Sequence, residues 1–248
     1  MILLVTGATA GFGRAIAACF AKEGARVIAA GRREARLLQL REALGADRVL
    51  PMVLDVRDRA AVESAINSLP EEWKAIDVCV NNAGLALGLS SAQEANLDDW
   101  DRMVDTNIKG LTYVTRAVLP GMVARDRGHI INIGSTAGEF PYPGGNVYGA
   151  SKAFVRQFSL NLRADLFGTR VRVTEIEPGL VGGTEFSNVR FGDDAKAANV
   201  YAGADPLTPD DVAEAVRWVA MLPPRVNINI LQMMPVGQSF GPLKVHKA

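Results

Sequence analysis

The chain has 248 residues, 48 % of them hydrophobic, enough to bury the core of one large α/β unit. Its 27 basic and 27 acidic side chains cancel, and no lysine-rich or arginine-rich run supports a nucleic-acid footprint, so any bound anion must be met by a local site. Apolar runs are broken well short of a membrane span, and the opening residues lack the pattern of a signal peptide.

Short β-branched runs alternate with stretches of helical period. "ILLVT" (2–6) reads as a buried strand, after which Phe12, Ile16, Cys19 and Phe20 share one helical face that ends at Gly24. "RVIAA" (26–30) is a second strand and 34–44 a helix. The third strand, "RVLPMVLDV" (48–56), contains Pro51, which suits a strand start or a sheet edge. A helix at 58–68 precedes "IDVCVNNAG" (76–84), and a long helical region, 97–125, precedes "HIINIGS" (129–135). A helix at 148–168 leads to "RVRVTEIEPG" (170–179), then a polar, glycine-rich substrate loop around 180–205. A helix at 208–221 and "VNINILQ" (226–232) complete the pattern.

Seven strands joined by helices require right-handed crossovers. This predicts an α/β fold: a doubly wound Rossmann-type, mostly parallel sheet with helices on both faces, in one domain spanning 1–248. Ligands in such sheets bind at the carboxyl ends of strands. Cys19 and Cys79 lie in apolar segments and read as small core residues in a reduced, cytoplasmic setting. With only His129 and His246 and no Cys-x-x-Cys pair, no metal site is expected; His129 should simply begin a strand.

After the first strand comes Thr6-Gly7-Ala8-Thr9-Ala10-Gly11-Phe12-Gly13, then a helix. Glycines there let the backbone turn sharply toward a pyrophosphate, which the helix N-terminus attracts. The second strand ends in Gly31-Arg32-Arg33, without the carboxylate that usually holds a ribose 2′-hydroxyl. Two guanidiniums can instead grip a 2′-phosphate through forked hydrogen bonds, so NADP is favoured over NAD. Asp55 and Val56 are placed to touch the adenine, and the asparagines of Asn81-Asn82-Ala83-Gly84 to bond backbone where strands and cofactor crowd together.

Tyr148 and Lys152, four apart, share one helical face, and Ser135 ends the strand before them. Bringing a phenol from its usual ~10 to ~7 takes roughly 4 kcal/mol of preferential phenolate stabilisation, to which a lysine ammonium and an oxidised nicotinamide both contribute. Ser135 would hold a substrate oxygen while Tyr148 exchanges a proton with it.

These motifs, in this order and spacing, resemble the short-chain dehydrogenase/reductase family over essentially the whole chain. The resemblance implies a catalytic tetrad of Asn107, Ser135, Tyr148 and Lys152, and a cofactor site that also takes in Pro178, Gly179, Val181 and Thr184. Thr184 follows an extra Gly182-Gly183, a departure from the commoner family pattern. "TGATAGFG", "NNAGLALG", "GGNVYGASKAFVRQFSLNLR" and "IEPGLVGGTEFSNVRF" are most similar to the bacterial NADP-dependent 3-hydroxy acid dehydrogenases. That likeness implies L-serine, L-allo-threonine and 3-hydroxypropionate or malonic semialdehyde as substrates, and a homotetramer built partly on the apolar helix 148–168. The carboxylate of such a substrate needs a cation, and Arg190 is the candidate. Reduction of other small carbonyl compounds, sugar-nucleotide epimerisation and non-enzymatic NADPH sensing are the competing readings.

Overall fold

The computed structural model describes residues 1–241; His246 lies outside the described residues. In chain order the elements are β1 (Ile2–Thr6), α1 (Gly11–Lys22), β2 (Arg26–Gly31), α2 (Glu34–Leu44), β3 (Val49–Val53), α3 (Arg59–Asn67) and β4 (Val78–Asn81). There follow α4 (Leu97–Val104), α5 (Leu111–Ala124), β5 (Gly128–Ile133), α6 (Asn146–Asp165), β6 (Val171–Pro178), α7 (Phe186–Phe191), α8 (Asp194–Tyr201), α9 (Pro209–Met221) and β7 (Ile230–Met233). All seven strands form one sheet, paired in parallel in the order β3-β2-β1-β4-β5-β6-β7. No helix among the described residues is long and apolar enough to cross a membrane.

Because both faces are covered, the central strands are apolar without alternation. Leu3 and Val5 of β1 pack with Ile16 and Phe20 of α1 and Val216 of α9. Ile2 and Leu4 point the other way, to Val62 of α3, Val114 of α5 and Leu162 of α6. Pro51 sits on the edge strand β3, opposite Ala29 of β2, where its missing N–H costs no ladder bond. Buried His129 does lie at the start of β5, its Nε2 2.7 Å from Thr174 Oγ1.

Three expectations need correction. The stretch 180–205 is not an open loop, for it folds into α7 and α8, the latter capped by the Asp193 carboxylate on Ala195 N and Lys196 N. The region 97–125 is helical but not uniform: α4 and α5 are joined by a wide π turn, Asp105–Gly110, which contains Asn107. The last strand begins four residues late. There Asn227 replaces strand pairing, its Oδ1 accepting from Val173 N at 2.8 Å and its Nδ2 donating to Val173 O at 2.9 Å. Regular pairing resumes at Ile230, opposite Glu175.

Asn227→Ala removes both of these bonds near the start of β6 and is expected to destabilise the protein by about 1–3 kcal/mol, read from chemical denaturation midpoints.

Candidate active site

The order of the sheet reverses between β1 and β4, so a crevice opens at their carboxyl ends. The Thr6 hydroxyl ties the two ends together. Its Oγ1 accepts from Asn82 N at 3.0 Å and Ala83 N at 2.9 Å, while Asn82 Nδ2 donates to Thr6 O at 2.8 Å. Asn82 therefore bonds backbone as expected, but Asn81 does not. Its Nδ2 turns into the sheet face, to Thr115 Oγ1 and Asn132 Oδ1, both at 2.8 Å.

Past Thr6 the chain turns at Gly7 (φ 69°), and a Cβ on Gly13 would run into Gly7 O and the Asn82 amide. Only glycine lets α1 seat this close to the turn. The N-cap of α1 is Ala10, with no side chain bonding the first N–H groups. Those donors and the positive helix end are available to an anion, so the turn fits a pyrophosphate.

One groove runs along these strand ends, from Arg32, Arg33, Asp55 and Val56, past Gly7, Thr9, Gly11, Phe12, Asn82, Ala83 and Gly84, to Tyr148, Lys152 and Thr184. Ala8 is buried behind it, its N–H bonded to Ala30 O. Pro178 ends β6, Gly179 follows it, and Val181 makes an isolated bridge to Leu207; none of these three lines the groove. Arg33 bonds Thr9 Oγ1 through Nε (3.0 Å) and Nη2 (2.8 Å), and Glu185 through Nη1 (2.8 Å). Glu185 also takes Arg36 Nη1 at 2.6 Å. Asp55 is held by Arg57, whose hydrogen bond pulls the carboxyl below its usual range.

At the other end, α6 brings Tyr148 and Lys152 together, one turn apart and both buried. Lys152 Nζ donates to Ile133 O at 2.8 Å and stands 5.9 Å from the Tyr148 ring centre. Burial pulls the lysine pKa down to about 8, against the opposing pull of Glu175. Ser135 stands just past β5, on the phenol side of Tyr148. From the protein's own groups, burial wins at the phenol too, pushing it up to about 12, with Ser135 and the Arg190 charge acting downward. Reaching ~7 from there takes roughly 7 kcal/mol, more than a free phenol would need.

Asn107 does not line the groove. From the π turn its Oδ1 accepts from Leu85 N (2.9 Å) and its Nδ2 donates to Leu85 O (2.8 Å) and Ser151 Oγ (3.0 Å), stitching the segment after β4 to α6. Arg190, at the end of α7, lies 5.5 Å from the Tyr148 ring centre. Its Nε donates to Gly88 O at 3.1 Å and its Nη2 to Tyr142 OH at 2.8 Å.

Arg36, Glu185, Tyr142 and Phe186 escape the sequence reading. Arg36 follows Arg33 by three residues, a spacing that could have flagged it. Nothing local marks the other three: Glu185 and Phe186 reach the groove only through the folding of 180–205, and Tyr142, in the turn before α6, meets Arg190.

The chain belongs to the short chain dehydrogenase family, whose model matches residues 1–194. It is similar to the NADP-dependent 3-hydroxy acid dehydrogenase YdfG of Salmonella typhi, 66 % identical over 249 residues and all of both chains. The solved closed form of a serine dehydrogenase complexed with NADP+ matches it with a TM-score of 0.96, at 65 % identity over all of both chains. Sulfoacetaldehyde reductase 2 of Chromohalobacter salexigens is 51 % identical, covering 99 % of this chain and 98 % of that one.

A phenol raised by burial gives no phenolate signal in the near-neutral range. Ultraviolet titration of the free protein should show no difference between wild type and Tyr148→Phe below about pH 10. An extra tyrosinate in wild type near pH 8 would contradict this account of the site.

Proposed function

We propose that the protein is an NADP-dependent oxidoreductase that transfers hydride between the nicotinamide and the 3-hydroxyl or 3-oxo carbon of small 3-hydroxy acids. The observation that carries this reading is the Arg190 guanidinium 5.5 Å from the centre of the Tyr148 ring, a cation held close to the side chain that exchanges the proton. L-Serine, L-allo-threonine and 3-hydroxypropionate each carry a carboxylate close to the reacting hydroxyl, and Arg190 pairs with it. The relatives named for NADP-dependent 3-hydroxy acid and serine dehydrogenases support the same substrate class.

NADP supplies the hydride, or accepts it, at its nicotinamide ring. Arg32 and Arg33 hold the 2′-phosphate, and the start of α1 holds the pyrophosphate. Ser135 donates to the substrate oxygen and fixes its distance from Tyr148. In reduction Tyr148 gives its proton to that oxygen; in oxidation it takes the proton back. The Lys152 ammonium favours the phenolate left behind. Asn107 positions α6 through Ser151.

Cofactor binding and catalysis share one unit, which works in the cytoplasm as a homotetramer. Phe154 and Phe167 of the α6 region support that assembly, for they are 37 % and 88 % exposed and suit burial against another copy. A second reading rests on the same guanidinium. A sulfonate would pair with Arg190 as a carboxylate does, and one relative is a sulfoacetaldehyde reductase.

Purified protein with NADP+ should produce NADPH absorbance on L-serine, L-allo-threonine or 3-hydroxypropionate. Turnover of sulfoacetaldehyde alone, assayed as loss of NADPH absorbance with NADPH supplied, would select the second reading, and no turnover on any of them would sink both. Arg190→Ala should lower kcat/KM on L-serine at least about tenfold more than on an uncharged secondary alcohol, given the worth of a charge-assisted pair. Equal losses would leave Arg190 a purely structural role. Replacing Arg32 and Arg33 together with alanine should raise KM for NADPH by about tenfold or more and change KM for NADH little.

A further inference from the structure

Strand β6 carries two acids that the proposed reaction does not use. Glu175 and Glu177 are both 0 % exposed, two residues apart on one face of the sheet. Glu177 is well partnered. Arg156 Nη1 reaches its two oxygens at 2.9 and 3.2 Å, and Gln232 Nε2 donates to it at 3.0 Å. Glu139, in the turn after Ser135, shares the same two donors at 2.9 and 2.7 Å. Glu175 has no such support: neither of its oxygens finds a hydrogen-bond partner among the described residues. A fully buried carboxyl without a donor is an anomaly that calls for a physical reason.

Its surroundings supply one. Gly134 packs on the Glu175 carboxyl so closely that a Cβ there would strike it, and Gly134 N bonds Ile176 O at 2.7 Å. The adjacent Ile133 O is the acceptor of Lys152 Nζ. Glu175 therefore lies beside the anchor of the lysine. The charged groups around it are Lys152 and Arg156 from α6, Glu177 from its own strand and Glu139 from the turn; Asn132 of β5 and Gln232 of β7 are neutral. Three carboxyls thus face two cations. The surplus proton belongs on the member without donors, and burial followed by the Glu177 charge raises the Glu175 carboxyl well above the usual range.

We propose that Glu175 is a positioning residue for Lys152: buried without a donor beside the lysine's anchor, it holds a proton at neutral pH, gives it up in alkali, and as a carboxylate then keeps the lysine ammonium charged. The carboxylic acid–ammonium pair, which carries one net positive charge, then becomes a carboxylate–ammonium pair, with the released proton going to solvent. The ammonium that favours the Tyr148 phenolate persists further into alkali than its burial alone would permit. The inference rests on the roles given above to Tyr148 and Lys152.

Glu175→Gln keeps the shape of the side chain and cannot ionise. For carbonyl reduction with NADPH, the alkaline limb of kcat should move down by about one pH unit, leaving the variant about tenfold below wild type near pH 9 but within a few-fold near pH 6.5. Glu175→Leu should show the same displacement, whatever its effect on amplitude. A loss that is uniform across pH in both variants would mean that Glu175 only packs. Infrared difference spectra, wild type minus Glu175→Gln without substrate, should show a protonated-carboxyl band at pH 7 that fades by about pH 9–10. Absence of that band at pH 7 overturns the inference even if the enzyme is fully active. Conversely, a protein that turns over no substrate but keeps the band would fail the functional reading alone.

Discussion

Parallel pairing is the constraint from which the rest follows. Each parallel neighbour demands a crossover helix, so every strand delivers its carboxyl end to the same edge of the sheet. The glycine turn after β1, Asn82 after β4, Ser135 after β5 and Gly179 after β6 lie there, although more than 170 positions separate the first from the last. The Thr6 hydroxyl then fixes the two ends that flank the crevice, accepting two backbone N–H groups from the β4 side. A side chain that carries out no chemistry thereby sets the spacing between the pyrophosphate turn and the reactive end.

Burial at the reactive end acts against the chemistry before it acts for it. Tyr148 and Lys152 are both buried, and removal from water raises the phenol and lowers the ammonium, since each loses its charged form. The same dryness strengthens every remaining charge–charge interaction. A cation brought near the phenol is worth far more there than in water, and so is the positive charge of an oxidised nicotinamide. With the role proposed for Tyr148, proton transfer would be coupled to ligand binding, because the phenol stays neutral in the empty groove.

Much of this was legible in the sequence because the elements that matter are local and periodic. Helix 34–44 falls where its pattern places it, and Pro51 marks an edge strand. The glycine turn, Ser135 and the Tyr148/Lys152 pair lie on short segments next to strands, where spacing alone determines geometry. What the sequence hid depends on long-range partners. Asn227 stands in for strand pairing only because Val173 lies opposite it. Asn107 sits in a π turn that no residue preference announces. The direction of the Tyr148 shift is a matter of burial, which follows from what packs over α6 and not from the residues around the tyrosine.

The segment from Thr184 to Tyr201 shows how the two ends of the groove are joined. At its start Glu185 pairs with Arg33 and Arg36, at the end where the 2′-phosphate is proposed to bind. One residue later the Phe186 ring packs 5.6 Å from that of Tyr148, and Arg190 reaches Gly88 and Tyr142 beyond it. A single short helix, α7, therefore spans from the cofactor end to the reacting hydroxyl. The ion pairs at Glu185 are more than two-fifths exposed, and such pairs are individually weak. With the roles proposed for Arg33 and Arg190, recognition of the cofactor's phosphate and of the substrate's carboxylate would not be independent, because both draw on the position of one helix.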